Sequence, residues 1–150
     1  EIKNEGYTLS KYVNGYYVLT KNNSSNQPYH WVLKAPNHEV ILSSEMYSSK
    51  HTALNGIDSV RIHSPEDINY DRLIAKDNSP YFNLKSKNHQ IIGTSEPYSS
   101  EQNREVGINA VKKYGITLTL VDETDGEPIT TTKPEKSQQA GRYAWKNSYF

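Results

Sequence analysis

LKAPNHEVILSSEMYSS begins at Leu33, and LKSKNHQIIGTSEPYSS begins at Leu84. The offset of 51 positions runs on without a gap through Gly56/Gly107, Ile57/Ile108 and Val60/Val111. Between Leu33 and Val60 the two stretches agree at 13 of 28 positions, far above chance. The chain carries a tandem duplication, so whatever one copy forms the other should form as well.

Within each copy the apolar spacing changes from two to about 3.6 residues. Residues 29–34 and 81–85 read as strands, with Trp31 and Leu33 on one face matched by Phe82 and Leu84. Asn37-His38 and Asn88-His89 mark tight turns, because Asn tolerates left-handed backbone. Second strands follow over 40–44 and 90–95. Ser99 with Gln102 three residues on reads as a capping box, and Ser48 or Ser49 serves the first copy. Helices over 48–63 and 99–114 follow, with Ala53, Ile57 and Val60 on one face and Gly107, Ile108 and Val111 in the second copy. Helix-interior glycine costs about 1 kcal/mol against alanine. Its recurrence at Gly56 and Gly107 therefore predicts close approach of helix to sheet. Pro65 and Gly115 supply stop signals. Strands over 16–21 and 70–75 precede these units, residues 22–27 read as a longer hairpin loop, and ITLTLV over 116–121 alternates as a closing strand. The expected core is Trp31, Leu33, Ile57, Val60, Phe82, Leu84, Ile108 and Val111.

The motifs LKxxNH, SExYSS and GIxxV, each present twice, are specific in combination. The stretches VLKAPNHEVILSSEMYSSK with NGIDSVRIHSPED, and YFNLKSKNHQIIGTSEPYSSEQNREVGINAVKKYG, resemble the two halves of a tandem protein of the YegP-like family of small bacterial proteins. The likeness runs from about Gly15 to about Val121. The resemblance implies repeated strand-strand-strand-helix units joined in one continuous sheet, the final strand of each unit exchanged onto the other. It brings no activity, cofactor or catalytic residue. The resulting expectation is an α+β fold: two tandem repeats forming one mostly antiparallel sheet, two helices on one face, an internal pseudo-twofold and exchanged terminal strands. The expected divisions are an extension over 1–14, repeats over 15–66 and 67–121, and a linker with an aromatic tail over 122–150.

With 34% hydrophobic residues and a mean hydropathy of −0.84, the 150-residue chain is polar for a globular protein. Lys+Arg and Asp+Glu both number 17, so the total charge exerts no strong pull on nucleic acid or anionic lipid. The absence of cysteine excludes disulfides, thiolate metal sites and a cysteine nucleophile. No apolar run approaches the ~20 residues of a membrane span, and no signal peptide is visible. The first residue is Glu1 rather than Met, which leaves trimming or processing open.

His30, His38, His51, His63 and His89 show no metal-helix spacing and no HExxH. His38/His89 and Glu45/Glu96 are repeat-related pairs, read as turn and helix-start residues rather than as a metal site or acid/base pair. Nucleophile elbow, P-loop and dinucleotide fingerprint are all missing. The expectation is a non-enzymatic binding or protein-interaction module, without cofactor or metal, monomeric, cytoplasmic and not membrane-bound. Tyr47 and Tyr98 read as packing residues with wet hydroxyls. Tyr16, His30, Lys34, Tyr81 and Lys85 map to the sheet face opposite the core. Single-stranded nucleic acid stacking there is the alternative function. Tyr143, Trp145, Tyr149 and Phe150 crowd the last ten residues and read as a docking peptide for a protein surface or sheet edge, or as a frayed end. Tyr7, Leu9 and Tyr12 alternate in part and suggest a further edge pairing.

Overall fold

The structure, a computed structural model, describes residues 11–124. The first copy forms β1 (Tyr16–Lys21), β2 (Tyr29–Lys34), β3 (Val40–Ser44) and α1 (Lys50–His63). A 3-10 turn (Asp67–Asn69) leads into β4 (Tyr70–Ile74), β5 (Pro80–Lys85), β6 (Ile91–Thr94), α2 (Glu101–Tyr114) and β7 (Leu120–Asp122). The strands make one sheet in the order β4-β5-β6-β3-β2-β1-β7. All pairings are antiparallel except β1 with β7.

The two copies meet at β3 and β6, where Ser43 pairs with Thr94, its own counterpart 51 positions on. That register has the symmetry a twofold between the units requires. β7 leaves the second copy and pairs with β1 of the first. β4 follows α1 and pairs with β5 of the second copy. The closing strand is shorter than the ITLTLV pattern suggests. Ile116 and Leu118 are exposed, and the Thr117 hydroxyl turns back to donate to the Gly15 carbonyl at 3.0 Å. Ladder pairing with β1 starts only at Leu120.

Each hairpin carries a bulge at the same place, between Leu33 and Lys34 opposite β3 and between Leu84 and Lys85 opposite β6. A bulge breaks strict alternation, so Ile41 and Leu42 both belong to the core cluster, as does Ile92. The eight expected core residues are all at most 1% exposed, and both helices contribute to that single cluster, so both cover one face of the sheet. Trp31 meets Tyr17 edge-on at 5.5 Å, and Phe82 stacks on Tyr98 at 6.2 Å.

Several local expectations change. In the turns it is His38 (φ 74°) and His89 (φ 70°) that take the left-handed conformation, not the asparagines. The His38 amide closes a tight turn onto Ala35, and Asn37 Oδ1 accepts from the Glu39 amide at 3.1 Å. This is the three-residue loop in which the last position is left-handed. The helix caps are Ser49 and Ser100, whose hydroxyls accept from the Thr52 and Asn103 amides at 3.1 and 3.0 Å. Ser99 instead accepts from the Asn103 side chain, so no capping box with Gln102 forms. At Gly56 and Gly107 the first obstacle to a Cβ is the tyrosine of the preceding loop: it would collide with the hydroxyl ends of Tyr47 and Tyr98, and at Gly56 it would also come within 3.1 Å of Trp31 Nε1 on β2. The SExYSS tyrosine therefore lies on the GIxxV glycine in both copies. Gly115 ends α2 in ordinary right-handed conformation (φ −62°). A Cβ there would approach Ser64 Oγ to 2.5 Å, so closeness rather than backbone strain selects glycine.

Arg104, unexpected on the covered side of α2, is 7% exposed and reaches the Leu73 carbonyl at 3.2 Å. Edge strand β4 is tied to α2 by charge. Arg72 meets Asp67 at 2.9 Å and Glu105 at 2.8 Å, and Lys112 meets Asp67 at 2.8 Å. Among the described residues, no helix is long and apolar enough to cross a membrane.

Candidate functional site

The sheet face away from the helices does not assemble the five residues expected there. Tyr16 and Lys34 pair across β1 and β2, but Tyr16 is only 7% exposed. Its hydroxyl lies 2.6 Å from His38 Nδ1, and the Tyr12 ring packs on it at 4.4 Å. The expectation of an exposed Tyr16 is thus corrected, because neighbouring rings and Lys34 close over it. His30 stands opposite Thr20, at the far end of β2 from Lys34. Half-buried, it has its pKa lowered by desolvation and is held toward the neutral form. Tyr81 is half-buried on β5, with β3 and β6 between it and β2. Lys85 Nζ is bound to Asp71 at 2.8 Å. A nucleic-acid platform needs free cations beside exposed rings. Here Lys85 is neutralised and the Tyr16 ring is covered.

The repeat-related histidines and glutamates are also kept apart. Because β3 and β6 run antiparallel, the turns bearing His38 and His89 lie at opposite ends of the sheet, as do the strand ends leading to Glu45 and Glu96. No group of metal-ligating side chains occurs among the described residues.

On the helix side the structure shows a groove of about 680 Å³ that sequence reading missed. It runs between the β2–β3 turn, the loop after β6 and the exposed flank of α2. Its floor is Val40, Ile41, Tyr98 and Gly107, with Val106 and Ala110 along α2. Glu39 and Glu96 stand on the rim. They approach because the β3–β6 register brings the start of β3 beside the end of β6. Neither carboxylate forms an ion pair among the described residues. Both act on Tyr98: burial raises its phenol pKa first, and the Glu96 and Glu39 charges raise it further. The hydroxyl is held neutral, and the groove presents an apolar floor under negative potential.

The groove mixes positions that the copies share, among them Ile41, Glu96, Tyr98 and Gly107, with positions at which they differ. Val106, Ala110, Ala35 and Glu39 correspond, 51 positions away, to Asn55, Ser59, Ser86 and Gln90. The groove spans both units, residues 35–41 from the first and 96–110 from the second, and the divergent positions set its chemistry apart from that of the repeat-related residues. Val106, 63% exposed beside the buried stripe of α2, was the available signal in the sequence. The docking residues Tyr143, Trp145, Tyr149 and Phe150, and the edge residues Tyr7 and Leu9, lie outside the described residues.

The molecule is therefore a duplicated α+β protein of one seven-stranded sheet and two helices, with an acidic-rimmed apolar groove. A family model described as a domain of unknown function, DUF1508, matches residues 24–71 and again 75–122, and the chain belongs to this YegP-like family. A UPF0339 protein of Shewanella oneidensis is 51% identical over 112 residues, 75% of this chain and 100% of that protein. The UPF0339 protein YegP of Escherichia coli is 47% identical over 110 residues, 73% of this chain and 98% of that protein. The solution NMR structure of a Shewanella oneidensis UPF0339 protein matches with a TM-score of 0.70 at 47% identity, covering 79% of this chain and 99% of that one. The solution structure of Escherichia coli YegP, described as a protein of unknown function, gives 0.69 at 44% identity, covering 75% and 96%.

Proposed function

We propose that this chain is a non-enzymatic, monomeric protein-interaction module whose groove beside α2 takes an extended segment bearing aromatic and basic residues. The observation that carries the reading is the groove itself: an apolar floor under two carboxylates without ion-pair partners among the described residues. Its volume of about 680 Å³ suits two or three side chains. Aromatic rings supply area at low entropic cost, and basic residues complement Glu39 and Glu96. The groove's tyrosine is held neutral and no histidine lines it, which supports binding rather than proton transfer there. The sequence expectation of a cytoplasmic location travels with this reading, and fractionation of the expressing cell checks it.

The test is fluorescence anisotropy with labelled peptides of matched length: aromatic-basic, aromatic-acidic and basic without aromatics. Only the first should bind well, and Glu39→Lys/Glu96→Lys should weaken it about tenfold. Equal binding of all three, or indifference to the charge reversal, would remove the groove as the site. Salt-dependent binding of a single-stranded oligonucleotide instead would favour the opposite sheet face.

A further inference from the structure

Resting on that reading, we propose that the occupant of the groove is the chain's own segment 142–150, folding back in cis. The sequence there is RYAWKNSYF: four aromatic residues with Arg142 and Lys146 and no acidic residue. This is the composition the groove calls for. The aromatic rings match the floor of Val40, Ile41 and Val106, and the two cations match Glu39 and Glu96.

The geometry allows the return. β7 runs parallel to β1, so the chain leaves Asp122 toward the Lys21 end of the sheet. The groove lies near the other end, where β2 turns into β3. From β7 to β3 is three strand spacings, about 14 Å, and the length of β1 adds about 20 Å along the strands. The diagonal is roughly 25 Å. The residues between Thr124 and Tyr143 reach up to about 65 Å when extended, so the span is met with slack. The family matches end at residue 122, whereas the groove lies inside them. The segment is thus an addition to the duplicated unit, tethered to it at an effective concentration in the millimolar range. A partner bearing a similar segment has to displace it, which makes the tail a built-in competitor for the site.

The experiment compares amide NMR spectra of the intact chain with those of the full-length variant Trp145→Ala/Tyr149→Ala/Phe150→Ala. Resonances of Ile41, Val106, Gly107 and Ala110 should shift in the variant. A synthetic peptide of residues 142–150 added to the variant should move them back. The same peptide should bind the intact chain about tenfold more weakly than the variant, because the tethered copy competes. In the variant that also carries Glu39→Lys/Glu96→Lys, the peptide should bind about tenfold more weakly. Shifts confined to residues 125–150, with no peptide effect at the groove, would overturn self-docking. If unrelated aromatic-basic peptides still bind the groove of that variant, only the choice of occupant falls and the interaction-module reading stands. If no peptide of that class moves the groove resonances, both fall.

Discussion

Replacing Gly107 by alanine tests the packing that joins the two repeated motifs. In an open helix position the change should stabilise by about 1 kcal/mol, since alanine is the better helix former. Here the new Cβ would collide with the Tyr98 ring end, with Tyr98 Cε1 also only 3.1 Å away. The ring has no cheap escape: it stacks on Phe82, and the Tyr98 amide is bonded to the Pro80 carbonyl at 2.8 Å. Overpacking of this kind costs about 1–3 kcal/mol. Net of the helical gain, Gly107→Ala should destabilise by about 1–2 kcal/mol, lowering the melting temperature by about 3–4 °C for each kcal/mol in a domain of this size. Urea unfolding followed by far-UV circular dichroism reads the effect. In a Tyr98→Ala background the obstacle is gone, and the same substitution should become stabilising. The double-mutant cycle then shows a coupling of about 2 kcal/mol. A stabilisation by Gly107→Ala alone, or a coupling near zero, would refute the claim that the tyrosine dictates the glycine.

Trp31→Ala should cost about 3–5 kcal/mol, because the ring is fully buried and its removal leaves a cavity; a loss near zero in denaturant titration would contradict the strand register. The Asp67 carboxyl is held at a pKa of about 2, below its ordinary 3.8, by hydrogen bonds from Arg72 and then Lys112. A depressed carboxylate pKa favours the folded state above the unfolded value, and that contribution is lost as pH falls through 2. The group is exposed and screened, so Asp67→Asn should lower the urea midpoint only slightly at pH 7, with the deficit shrinking as pH falls from about 3.8 to 2; a deficit that stays constant over that range would point to something other than charge. Deleting residues 125–150 should leave the melting transition in place, since Lys50 still meets Asp122 at 2.6 Å and β7 is retained; its collapse would mean that the tail belongs to the core.

The sequence by itself determined the duplication, the order of strands and helices, and the eight core residues from Trp31 to Val111. These rest on local chemistry: periods of 2 and 3.6, helix caps and breakers are properties of neighbouring residues. It was one residue off at the second cap, because Ser99 and Ser100 are equally good acceptors and only the observed extended backbone of Ser100 (φ −156°) aims its hydroxyl at Asn103. Two things were decided by tertiary structure alone. One is that the tyrosine of SExYSS occupies the space left by the glycine of GIxxV, which turns two weak motifs into a single packing unit. The other is the groove, whose Glu39 and Glu96 are 57 positions apart and come together only through the antiparallel β3–β6 pairing. Contacts between segments so far apart in the chain depend on register and on the Leu33/Lys34 bulge. Shifting either by one residue would send the same side chains to the opposite face.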